Sequence, residues 1–204
     1  SNDNYQVLDK NEVYVKNDKT TSSLLFVPRN LTTYSIKENC STICSSAFSA
    51  SQITTVDFPI TLETINEGAF AHSHLTKVVF PKSIQIIKDD AFLHCENLEA
   101  VSFDSQCALQ IIPKYCFAFS GLKRITLPET IQVIEEFSFY FCSNLDHIDL
   151  FNTDVTYIGV SAFAATSITR LVVPPTTKFI CDSAFAHTPL STVDFSFCTN
   201  VLDW

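Results

Sequence analysis

Apolar and polar positions alternate in short bursts along this chain, and the bursts recur. The runs ITTVDFP (53–59), LTKVVFP (75–81), LEAVSFD (98–104), LKRITLP (122–128), LDHIDLF (145–151), ITRLVVP (168–174) and LSTVDFS (190–196) are apolar at their first, fourth and sixth positions. Such short alternation predicts a strand in each run. A phenylalanine preceded by a small residue stands five or six residues before each run: Phe48, Phe70, Phe92, Phe117, Phe139, Phe163 and Phe185. The intervals are 22, 22, 25, 22, 24 and 22. Ahead of each Phe comes an isoleucine: Ile43, Ile65, Ile87, Ile112, Ile134, Ile158, Ile180.

A period in the low twenties with one strand per unit is the pattern of a leucine-rich-repeat solenoid. One coil of this length cannot bury its own apolar face, but stacked coils can. The runs are then expected to pair in parallel about 4.8 Å apart, through right-handed connections. Positions one, four and six face inward, and the seven phenylalanines form an inner column of rings. The predicted class is an α/β solenoid: a concave parallel sheet, with short helical or irregular turns on the other side. Pro59, Pro81, Pro128 and Pro174 close four of the runs, where a missing amide ends the ladder. Asp104, Phe151 and Ser196 take that place in the rest. The units of Asp104 and Phe151 carry the long intervals, so their loops are expected to bulge.

Read as a consensus, the unit is LxxVxFPxxIxxIxxxAFxxCxNL. It resembles the BspA-like leucine-rich-repeat family, over residues 36–196, with the AF pair, the strand-ending Pro and the C-x-N-L variant together. The resemblance implies a microbial or protozoan surface protein with an adhesin-like role, at the cell surface or outside the cell.

Residues 1–33 read as a separate N-terminal cap. Val7, Leu8, Val13, Val15 and 24–27 look like strands, and 9–11 and 17–19 like turns. An antiparallel hairpin here would shield the first coil. The solenoid is assigned to 34–196. The tail 197–204, with apolar Val201, Leu202 and Trp204, either begins a further unit or folds over the last coil. The first reading is favoured, since a chain without methionine is expected to be part of a longer protein.

Charge and composition remove several functions. The net charge of −9 opposes generic nucleic-acid binding. No apolar run approaches the roughly 20 residues that span a bilayer, so no membrane insertion is expected of this segment. Three glycines cannot build a phosphate loop, and HExxH, CxxC and GxSxG are all missing from the sequence. The chain is read as non-catalytic and without a cofactor. Acid pairs Asp89-Asp90 and Glu135-Glu136 suit a solvated rim. His72, His94 and His187 share a column with Ala50, Phe119, Phe141 and Ala165, which marks packing rather than proton transfer. His72, His74, His94 and Cys95 could be weighed as a zinc set, but the packing reading fits the column. Eight cysteines fall mostly in columns that do not repeat in neighbouring units, so they read as reduced structural thiols.

The strand face is the more informative surface. Positions three and five of each run point away from the core. The candidate binding residues are Lys77, Val79, Arg124, His147, Asp149, Arg170 and Val172, a polar groove edged by apolar anchors. A protein or glycan ligand carrying some negative charge fits it. Ordinary solvated sheet surface is the alternative. Sequons at Asn30 and Asn39 hint at a secretory route. An intracellular protein–protein scaffold, with a cytoplasmic location and reduced cysteines, is the competing functional reading.

Overall fold

The computed structural model describes residues 5–7, 12–17 and 20–198. The chain winds through about 8 coils, which build two separate parallel ladders. The first ladder comes from the apolar runs. Thr33–Ser35 pairs with Thr55–Asp57. Lys77–Phe80, Ala100–Phe103 and Arg124–Ile125 pair in sequence, and Arg170–Val172 pairs with Thr192–Asp194. The second ladder comes from the isoleucines. It joins Cys40–Ile43, Thr64–Ile65 and Ile86–Ile87, then Ile111–Ile112, Val133–Ile134, Tyr157–Ile158 and Phe179–Ile180.

The aromatic column lies between the ladders. Consecutive rings from Phe48 to Phe185 stack at 4.6, 5.1, 5.4, 5.5, 5.0 and 5.2 Å between centroids. The first six are fully buried and Phe185 is partly buried. Phe58 and Phe80, from the sixth position of their runs, meet this column edge-on at Phe70 and Phe92. Buried aromatic pairs add about 0.5–1.5 kcal/mol each beyond their area, so the column is a main source of cohesion.

Of the predicted α/β solenoid with short helical or irregular turns, the helical part is corrected: no described residue is helical, the turns are irregular, and the fold is a β-solenoid. The hydrogen bonding explains why. Around each Phe, alternate amides leave the coil. Ser46, Phe48 and Ala50 donate to the carbonyls of Glu67, Ala69 and Ala71 in the next coil, and Gly68, Phe70 and His72 do the same onward. The amides between them bond back three residues, as Ala47 does to Cys44 and Ser49 to Ser46. A helix would need all of these donors within its own segment. The alternation sets left-handed backbone two residues before and two after each Phe, at φ 52–59°. Among these positions only Gly68 is glycine. Left-handed backbone costs roughly 1–2 kcal/mol per non-glycine residue, and the inter-coil hydrogen bonds offset it.

Units without a closing proline turn by another device. Asp104, Asp149 and Asp194 each accept the amide two residues on, from Gln106, Phe151 and Ser196, at 2.9–3.0 Å. A carboxylate bonded to its own backbone in this way makes an Asx turn.

The second ladder is interrupted once. The residue after each inward isoleucine donates its amide to the preceding coil: Asn66 to Ile43, Lys88 to Ile65, Glu135 to Ile112. Pro113 holds that place in its coil, and proline has no N–H. Ile86–Ile87 and Ile111–Ile112 are accordingly not paired.

At the amino-terminal side, Tyr5–Val7, Val13–Lys16 and Ser22–Phe26 pair antiparallel. Ser22–Phe26 also pairs in parallel with Cys40–Ile43, with Leu24 opposite Ile43. This strand is therefore shared between the hairpin and the solenoid. Leu31, Tyr34 and Ile36 repeat the one–four–six pattern, so a coil precedes the first alanine–phenylalanine pair. Tyr14 and Tyr34 meet through their hydroxyls at 2.9 Å in the buried space beneath. Burial raises both phenols above the ordinary value. Leu8, the expected turn residues 9–11 and 18–19, and the tail at 199–204 lie outside the described residues.

Candidate binding face

The outward side of the first ladder carries Lys77, Val79, Arg124, Arg170 and Val172 of the predicted residues. Register sets Lys77, Ala100 and Arg124 side by side, so cations two strands apart flank an alanine. Lys77 and Arg124 are exposed, and Val79 is 53% exposed. His147 and Asp149 are also exposed, but their run forms no strand. Arg170 and Val172 lie in register with Thr192 and Asp194. Val172 is half-buried.

The candidates fall into three groups. Lys77 and Val79 line a depression of about 440 Å³ with Asp57, Phe103 and Asp104. Arg124, His147 and Asp149 line a second, of about 650 Å³, with Glu129, Asp146 and Asn152. Both depressions mix cations with carboxylates. In the third group an Arg170 guanidinium nitrogen lies 4.0 Å from Asp194 Oδ2. Hydrogen bonds from Ser196, and then Arg170, hold the Asp194 carboxyl below its ordinary value. Neighbouring carboxylates thus partly neutralise the cations.

The histidine column is a packing column. His72 and His94 stack at 4.8 Å, His94 stacks on Phe119 at 4.4 Å, and Phe119 on Phe141 at 5.5 Å. Cys95, weighed with these histidines, turns inward, where its thiol donates to the Phe70 carbonyl at 3.1 Å. Cys142 repeats this with Phe117 at 3.1 Å. Burial pushes these thiols up, to about 11 for Cys95 and about 12 for Cys142. They stay protonated at neutral pH and act as hydrogen-bond donors. All eight cysteines are free.

The sequence reading missed a second surface, the outward positions of the second ladder. Its signal was the apolar doublet in IleIle (86–87, 111–112), ValIle (133–134) and PheIle (179–180). Only one member of each doublet can face the core of a strand.

Parallel two-ladder coils, an aromatic column and left-handed turns together define a solenoid of the leucine-rich-repeat type. The chain belongs to the BspA type leucine rich repeat family, whose model matches residues 19–117 and 63–192, with 6 copies. No curated protein matches it. Among solved structures, it is similar to a leucine-rich repeat protein from Bacteroides ovatus, with 19% identity and TM-score 0.67 over 92% of this chain. It is also similar to the pneumococcal vaccine antigen PcpA, at 16% identity and TM-score 0.65 over 95% of the chain. A leucine rich cell surface protein from Faecalibacterium prausnitzii gives 18% identity and TM-score 0.61 over 93%. The chain spans 64%, 67% and 54% of those proteins respectively.

Proposed function

We propose that this chain is a non-catalytic binding module acting at the cell surface, adhesin-like, through the outward face of its first ladder. The ligand is a protein or glycan with negative charge. The observation that carries this reading is the register that sets Lys77 and Arg124 on one face beside the exposed Val79. A stacked array presents such a surface without further construction. Similarity to a cell surface protein and a vaccine antigen supports the location. A second reading, an intracellular scaffold using the same face, is supported by eight free thiols, because reducing compartments keep thiols unpaired.

The test has two parts. Purified chain is titrated against immobilised matrix proteins and sulfated glycans, as wild type and as the Arg124→Glu/Arg170→Glu variant. Retained affinity in the variant refutes the face. Surface labelling of cells that express the parent protein separates the two locations.

A further inference from the structure

The second ladder carries an apolar row on its outward side. From Thr64–Ile65 on, each of its strands is two residues long. The second residue is a buried isoleucine, and the first points away from the core. Along the ladder the outward residues are Thr64, Ile86, Ile111, Val133, Tyr157 and Phe179. The last four lie in register on adjacent strands, a row about 15 Å long at ordinary strand spacing. Ile86, Ile111 and Phe179 are 42, 45 and 45% exposed, and Val133 and Tyr157 are half-buried. Folding does not require apolar residues there, since Thr42 and Thr64 hold the same position in earlier coils. Contiguous exposed apolar surface of this kind marks an interaction site more often than scattered single residues do.

The two borders of the row differ in charge. On one side lie Gln85, Gln110, Gln132 and Thr156, all neutral, with Glu63 and Lys178 at the two ends of that column. On the other lie Glu67, Asp89, Glu135, Glu136 and Asp182. Lys88 and Lys114 interrupt that acidic border, but Lys114 Nζ is held 2.8 Å from Glu136. Where Pro113 breaks the ladder, a depression of about 910 Å³ opens beside Ile86 and Ile111, lined by Glu67, Asp89 and Glu135 together with Lys88 and Lys114.

We propose that this face docks a polypeptide segment bearing an apolar stripe edged on one side by lysine or arginine. The stripe covers the outward row. The basic edge meets the carboxylates, and its alkyl stems lie along the isoleucines. Charge complementarity selects this occupant over a second copy, because another chain of net charge −9 brings mostly carboxylates to an acidic border. The row exposes on the order of a few hundred Å², below the roughly 800 Å² per partner of a stable interface, so binding is reversible and of modest affinity. The inference is independent of the first-ladder reading.

Short amphipathic peptides provide the test: one of leucine and lysine, one of leucine and glutamate, one of serine and lysine. Each is titrated against the whole chain by calorimetry. The leucine–lysine peptide is expected to bind, and the other two to bind about tenfold more weakly. Ile111→Gln/Phe179→Gln should weaken the leucine–lysine peptide about tenfold. Glu135→Gln/Glu136→Gln, which keeps hydrogen-bonding capacity, should flatten the salt dependence of binding and serves if the first pair unfolds. Arg124→Glu/Arg170→Glu should leave this binding intact. The proposal is overturned if both second-ladder variants bind as wild type does, or if the serine–lysine peptide binds equally. Loss of binding in the first-ladder variant overturns it too. So does sedimentation showing a dimer that Ile111→Gln/Phe179→Gln dissolves, since a second copy would then be the occupant.

Discussion

Removing the ring of Phe92 tests the stacked column directly. Phe92 is fully buried. It stacks on Phe70 at 5.1 Å and on Phe117 at 5.4 Å, and meets Phe80 edge-on at 5.7 Å. Phe92→Ala therefore removes three ring contacts and leaves a cavity whose walls are two fixed coils. Large-to-small substitutions of buried phenylalanine cost about 3–5 kcal/mol, a large share of the roughly 5–15 kcal/mol that holds a domain folded. Phe185 provides the internal comparison. It ends the column, is partly buried and stacks on Phe163 at 5.2 Å, so Phe185→Ala should cost less than half as much. Urea unfolding, followed by circular dichroism, gives both midpoints. A coil array transmits stability mainly between neighbours, so Phe92→Ala can also split the transition or lower its slope. A midpoint shift for Phe92→Ala no larger than that for Phe185→Ala would refute the cohesion argued for the column.

A methyl group at Gly159 would stand 2.6 Å from the Glu136 nitrogen and 2.7 Å from the Glu135 carbonyl carbon, so Gly159→Ala should lower stability by about 1–3 kcal/mol in thermal melts. Gly68, at φ 58°, where a Cβ would meet only the Ser46 hydroxyl at 3.8 Å and the Ala71 methyl at 3.9 Å, should accept Asn with little change, because asparagine tolerates left-handed backbone. The buried thiols predict an alkaline limit. The folded value for Cys142 is about 12 against an ordinary 9.0. The unfolded thiol therefore ionises first, and stability is intact below pH 9 and falls as pH rises toward 12. Replacing both Cys95 and Cys142 with Ala should make that fall shallower. The Arg170 side chain is 65% exposed in its ion pair, so Arg124→Glu/Arg170→Glu should shift stability by less than about 1 kcal/mol while altering ligand binding.

The sequence alone determined the coil. Equal offsets of Phe, Ile and the runs fix which residues become neighbours, because a residue that repeats every low-twenties positions can bury itself only against its own counterparts. Lys77, Val79, Arg124 and Arg170 could be placed outward for the same reason: strand alternation leaves them no other direction. The nature of the turns was not legible. Ala47, Phe48, Ala69 and Phe70 suit a helical turn by propensity, and what overrides it is a set of amide bonds to the next coil, which exist only once the coils stack. Nor was the grouping of the candidate residues legible, since a strand that fails to form at His147 and a proline at 113 act through pairing with neighbours. The apolar row on the second ladder was written in the doublets from Ile86 to Phe179. The repeating isoleucine marks the inward member of each doublet, but only the tertiary structure decided that the outward members lie side by side in register, because that depends on how neighbouring coils pair.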